Sequence, residues 1–180
     1  MATDRIDVGV VLERRETANK WIDHAWHFVA VLPGARPAAD WVELASGEGW
    51  VRYHVATLPI EIFSGETEGY KYNLSLDPPV VFAVLDPEAE GDNEVEASLI
   101  TVCPYEAQDY LDASENEVQS IAMPPAVASW LADFVEKHHV DEPFKKRKRT
   151  LHPDKKAHIN ELPANELIVP GGGSREDGHG

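Results

Sequence analysis

Residues 50–85 constrain this chain more than any other stretch. WVRYHVATLPIEIFSGETEGYKYNLSLDPPVVFAVL reads as three strand-like segments broken by turn chemistry. In the first, Val51, Tyr53 and Val55 alternate with polar neighbours, and Leu58, Ile60 and Ile62 resume the alternation after Thr57. In the second, Tyr70, Tyr72, Leu74 and Leu76 line one face, and Lys71, Asn73 and Ser75 the other. The third is the continuous apolar run 80–85, launched by Pro78 and Pro79. A period of two, and a short apolar run bounded by Gly and Pro, are strand signals. The rest of the chain is expected to pack around this spine.

Further short strands are expected on either side, at residues 6–12, 26–32, 41–44, 95–104 and 118–123. Residues 86–94 (DPEAEGDNE) read as an exposed loop, and residues 105–112 as a helical turn or an edge strand. The period changes at Pro124. Val127, Trp130, Leu131, Phe134 and Val135 fall at the i, i+3, i+4, i+7, i+8 spacing of an amphipathic helix over 124–138. Pro124 and Pro125 suit its first turn, where a missing N–H costs little. This helix is expected to lie as a lid over one face or end of the sheet.

The fold class these patterns imply is α+β: a mostly antiparallel β-sheet, sandwich or open barrel, with a C-terminal amphipathic helix. There is no strand–helix rhythm, which argues against a doubly wound dinucleotide fold. The β-rich domain should span residues 1–142, with its helix at 124–139. A basic and then Gly-rich tail, residues 143–180, has no sustained period, and its composition predicts mobility.

Composition narrows the class. The chain has 180 residues, 43% of them hydrophobic, which suits one packed domain. No apolar run approaches the roughly 18 residues of a spanning helix. The N-terminus lacks the basic-then-apolar order of a signal peptide, so a cytoplasmic protein with no membrane association is expected. A single cysteine, Cys103, rules out an internal disulfide framework. The net charge of -16 is unevenly spread. Residues 1–142 carry 8 Lys/Arg against 27 Asp/Glu, whereas residues 143–160 carry 7 against 1. An acidic body repels nucleic acid and anionic membranes.

Candidate site residues are few. GETEGYKYN (65–73) places two glycines around Glu66-Thr67-Glu68, followed by Lys71 and Asn73. One reading makes Glu66 or Glu68 a base or ligand at a sheet rim, with Lys71, Asn73 and Tyr105 nearby. The plain structural reading is a hairpin loop with glycines in special conformations. It is not a phosphate loop, because G-x-x-x-x-G-K-[ST] is absent and two acids would repel phosphate. His24, His27 and His54 could be drawn into a metal site, but no ligand motif supports one, so neither metal nor cofactor is expected. His138 and His139 suit a helix C-terminus, where a cation is favoured. Cys103 reads as a buried structural thiol rather than a nucleophile. Lys145, Lys146, Arg147, Lys148 and Arg149 form a basic island. It reads as a docking segment for an acidic partner, as a nucleic-acid contact, or as a solvated tail. Leu167, Ile168 and Val169 would suit a short apolar anchor beyond it.

Five stretches carry a family resemblance: VGVVLERR (8–15), ETEGYKYNLSLDPPVVFAVL (66–85), ITVCPYEAQDYLD (100–112), MPPAVASWLADFVEKHH (123–139) and EPFKKRKR (142–149). Together they resemble a bacterial family of unknown function encoded beside molybdenum-dependent formate dehydrogenase genes. The resemblance covers most of the domain and implies no catalytic residue. It implies a cytoplasmic accessory, assembly or regulatory role, with a formate dehydrogenase subunit or maturation factor as protein partner. The alternative, read from the residues, is a small-ligand-binding domain or enzyme with a sheet-rim pocket around Glu66, Glu68, Lys71 and Tyr105. A homodimer is a third arrangement open to the chain.

Overall fold

The apolar run at residues 6–12 sits inside β1 (Thr3–Glu16), where every residue from Val8 to Glu13 is buried. β1 is covered on both edges. It pairs antiparallel with β2 (His24–Pro33) on one side and with β4 (Trp50–Phe63) on the other. β3 (Val42–Gly47) adds to the far edge of β4, giving the order β2-β1-β4-β3. A second antiparallel sheet has the order β6-β5-β7, built from β5 (Val80–Asp86), β6 (Glu96–Thr101) and β7 (Glu117–Ala122). Among the described residues three α-helices accompany the sheets: α1 (Thr67–Leu74), α2 (Pro104–Asp112) and α3 (Pro125–His138). The computed structural model describes residues 1–37, 40–87, 94–113 and 115–143, and Met1–Asp141 form one compact unit.

Alternation along the strands builds the core. Val8, Val10 and Leu12 of β1 and Ile60 and Ile62 of β4 join Val81, Ala83 and Leu85 of β5 and Ile100 of β6 in one buried cluster. The two sheets therefore share an interior in the manner of a sandwich. On its β2–β7 side a single side chain spans the gap. Gln119 accepts the Phe28 N–H at 2.7 Å and donates to the Trp26 carbonyl at 3.1 Å, replacing a backbone rung. Trp26, Trp41 and Tyr53 pack ring to ring beside the core, with centroids 5.2 to 6.1 Å apart.

The second segment of the spine is a correction. Residues 70–76 do not form a strand. Ser64–Glu66 make a 3-10 turn, and α1 follows directly. Thr67, Tyr70 and Asn73 are buried at a spacing of three, which is a helical face. Tyr72, expected beside Tyr70, is 54% exposed. The alternation misleads because all three of these buried side chains are polar at their tips, and tertiary hydrogen bonds rather than hydrophobicity decide which residues go inside. The glycines follow suit: Gly65 lies in the turn and Gly69 in the helix. The positive-φ glycines among the described residues are Gly34 and Gly49, at turns elsewhere. Residues 105–112 resolve as helix α2.

The amphipathic helix forms as its spacing requires. Val127, Leu131 and Phe134 of α3 enter the core cluster, and the helix runs alongside α1. Its start is tied down where the Met123 N–H donates to the Pro79 carbonyl at 2.8 Å. Trp130 is only partly buried, its indole N–H donating to Asp4 Oδ2 at 3.1 Å, so it marks the rim of the lid rather than its centre. No helix of the described residues is long and apolar enough to cross a membrane.

One charged group is buried in the four-stranded sheet. Glu13 is 4% exposed, with Arg52 Nε at 2.8 Å and Arg15 Nε at 2.9 Å from its two oxygens. The Arg52 hydrogen bond, aided by Arg15, holds its carboxyl below the usual carboxylate range against the opposing effect of burial.

Two outcomes follow. Leu131→Ala should lower stability by about 2–5 kcal/mol, and Trp130→Ala by less, about 1–2 kcal/mol, in urea denaturation. Equal losses would mean that Trp130 carries the lid. Glu13 has a depressed folded-state pKa. Its stabilisation is therefore present above the unfolded value and lost as pH falls through the folded one. Glu13→Gln should lose about 1–3 kcal/mol at neutral pH, and the gap to the unmodified chain should close in acid. Stability curves that stay parallel down to acid pH would refute the ion pair's role.

Candidate functional site

The α1 and α2 segments meet at a cleft of about 350 Å³. Gly65, Glu66, Glu68 and Gly69 form one wall, and Cys103, Tyr105, Glu106 and Asp109 the other. Local sequence explains both walls. Cys103 is extended, and Pro104 at the first helical position then starts α2 without wasting an N–H. Glu106 falls in the first turn of α2 and Glu68 in that of α1, where a carboxylate is favoured by the helix dipole. Gly69 sets the spacing. A Cβ there would lie 3.1 Å from the Tyr105 ring and 3.2 Å from Cys103 Sγ, so glycine lets the two segments approach.

Tyr70 and Asn73 root α1 in the domain. The Tyr70 hydroxyl accepts the Phe63 N–H at 3.0 Å and donates to Glu66 Oε2 at 2.9 Å. Burial pushes its pKa well above the ordinary phenol value, so it stays neutral and orients the Glu66 carboxylate. Asn73 is fully buried. Its amide nitrogen donates to the carbonyls of Val80 and Val102, both at 2.8 Å, and its oxygen accepts the Val80 N–H at 2.9 Å. All three bonds go to backbone of the β5–β6 sheet ends.

The structure thus brings together Glu66, Glu68 and Tyr105 from the expected set and turns the other two elsewhere. Asn73 is a structural staple. Lys71 leaves the cleft lining and pairs with Asp141 at 2.8 Å. Asp141 also meets His139 Nε2 at 3.0 Å, and His139 Nδ1 lies 3.0 Å from Thr67 Oγ1, so the end of α3 is tied to α1. Lys71 first, and His139 second, hold the Asp141 carboxyl below its ordinary value.

Sequence reasoning missed Glu106, Asp109 and the place of Cys103. Reading Pro104 as a helix start would have found them, since Tyr105 and Asp109 share a face at i, i+4. Cys103 is 3% exposed. Burial pushes its thiol up, with the Glu66 and Glu106 charges adding to the effect, while the backbone N–H groups of Glu106 and Tyr105 oppose it. A thiol kept neutral is a weak nucleophile. Tyr105 is 56% exposed and offers its ring to solvent amid four carboxylates. Such a cleft can hold a cation, with carboxylates for the charge and an aromatic ring beside them.

Two of the three candidate histidines have separate partners: His24 bonds to Glu94, and His54 Nε2 lies 3.1 Å from Thr57 Oγ1. No group of three or more His, Cys, Asp or Glu among the described residues is placed to hold a metal ion. Lys145, Lys146, Arg147, Lys148 and Arg149, the Leu167–Val169 anchor and most of the 86–94 loop lie outside the described residues.

Fold and site together define a class: an α+β domain of two antiparallel sheets whose helices enclose an acidic cleft. A family model described as "Protein of unknown function (DUF3305)" matches residues 7–148, and the chain belongs to that family. No curated protein and no solved structure matches it.

Asn73→Ala should destabilise the domain by about 2–4 kcal/mol, because three backbone groups lose their partner at once. Gly69→Ala should open the cleft with a smaller loss, read as faster alkylation of Cys103 in the native protein. Alkylation at an unchanged rate would show that Gly69 does not set the approach.

Proposed function

We propose that this chain is a non-catalytic accessory protein that acts by binding another protein, in the assembly or regulation of a molybdenum formate dehydrogenase system. The sequence resemblance supplies the system. The cleft supports binding as the mode of action: Glu66, Glu68, Glu106 and Asp109 surround the exposed Tyr105 ring. This set of groups suits an Arg or Lys side chain presented by a partner, where the ring packs on the cation and carboxylates neutralise it. The basic segment at 145–149 would make a second, charge-based contact with an acidic region of the same partner.

A second reading has its own support. Glu66, Glu68 and Tyr105 converge at one cleft, as a small-ligand-binding domain or enzyme would require, and a cationic small molecule would suit the same groups.

One experiment separates the two. The tagged protein is used to capture formate dehydrogenase subunits and maturation factors from native lysate, beside a Glu68→Gln/Glu106→Gln/Asp109→Asn variant. Glu66 is left intact because it holds Tyr70. Capture that the variant and high salt both abolish, at unchanged melting temperature, is the expected result. Replacing residues 145–149 by serines should also weaken it. Absence of these proteins from the capture would sink the accessory reading. A cationic compound that raises the melting temperature of the parent chain, and not of the variant, would establish the second.

A further inference from the structure

The four-stranded sheet ends on a strand that nothing described covers. All six residues of β3 are exposed, and β4 is the element it packs against to any extent among the described residues. An edge strand presents alternate N–H and C=O groups outward with no partner, and proteins commonly guard such edges with Lys, Pro or a covering element. The other edges here are attended to. Gln119 spans β2 and β7, and β6 lies against β4. β3, VELASG, contains neither Lys nor Pro, and its guards are its short length, the charge of Glu43 and a bulge at Leu44. Val42 and Leu44 are each 49% exposed.

Charge indicates what would bind there. Asp40, Glu43 and Glu48 are exposed along and beside β3, and residues 40–51 contain no Lys or Arg. The guanidinium of Arg52 is already engaged, bonded to Glu13 and lying 5.0 Å over the Trp50 ring. Two copies of β3 set edge to edge would bring like charges together at Glu43, which opposes self-pairing. We propose that β3 is a docking edge for an extended segment of a partner protein in which Lys or Arg alternates with apolar residues, added to the sheet as a fifth strand. Backbone bonds supply the attachment, Val42 and Leu44 the apolar contact, and the acids the preference for basic side chains. The bulge at Leu44 bends the edge, so the added strand is short. This inference stands apart from the α1–α2 cleft and from the identity of the partner proposed above.

The test uses the full chain and three labelled peptides of equal length: alternating Lys and Val, the same charge with Pro at alternate positions, and alternating Glu and Val. Fluorescence anisotropy measures binding, and amide hydrogen exchange locates it. The Lys–Val peptide should bind and slow exchange within residues 42–47, and the other two should not. Glu43→Lys should weaken binding about tenfold or more, with Glu43→Gln intermediate, at unchanged melting temperature. Slowed exchange elsewhere, or equal binding of the Pro peptide, would overturn the proposal. So would self-association in sedimentation velocity that Val42→Lys abolishes, since a second copy would then own the edge. Peptide binding that persists when no formate dehydrogenase component is captured would overturn only the accessory reading.

Discussion

The Asn73 amide makes three hydrogen bonds in a place where water cannot substitute for any of them. The Val80 N–H and the carbonyls of Val80 and Val102 sit at the start of β5 and just past β6, where the β5–β6 ladder has already ended. Each of these groups left unpaired would cost about 1–3 kcal/mol. Meeting that demand with one side chain fixes α1 against the second sheet. The Tyr70 hydroxyl bond to Phe63 fixes the same helix to the end of β4, which belongs to the first. One helix therefore answers polar requirements of both sheets. The lid helix leans on it through the Phe134–Tyr70 ring contact at 6.5 Å, and the cleft is built on its other side.

The charges of the domain divide into those that hold structure and those left to solvent. Glu13 is clamped by two arginines, and Asp141 is held between Lys71 and His139. The carboxylates of the cleft are different. Among them Glu66 bonds to the Tyr70 hydroxyl, while among the described residues no Lys, Arg or His lines the cleft. A cation arriving from outside would meet carboxylates that no basic side chain of the described lining has neutralised.

Much of the sheet architecture was legible, because apolar side chains decide it. The alternation around Ile60 and Ile62, the run at 80–85 and the stripe through Val127, Leu131 and Phe134 all mark residues that the structure buries. Residues 67–74 were misread because their decisive contacts are polar. Nothing in the pattern of Tyr70, Lys71, Tyr72 and Asn73 reveals that Asn73 will be fully enclosed. Of the site, Glu66, Glu68 and Tyr105 could be singled out from the oddity of their surroundings. Glu106 and Asp109 could not, as long as the start of α2 was unread. Lys71 shows the opposite error, a charge that looked like part of a site and is spent on tying α1 to the residues after α3.

The longest pairing in the domain is also the least local. β1 meets β4 from Thr3 opposite Phe63 to Arg15 opposite Trp50. On a chain emerging from its N-terminus, β1 can form its hairpin with β2 early, but its second edge has no partner until Phe63 has been made. Through that interval the VGVVL run waits with one side unfilled, and the second sheet that will roof it does not yet exist. Closing a contact across so much sequence is slow compared with forming a hairpin. The order of synthesis therefore leaves this apolar strand half covered until its distant partner has been made.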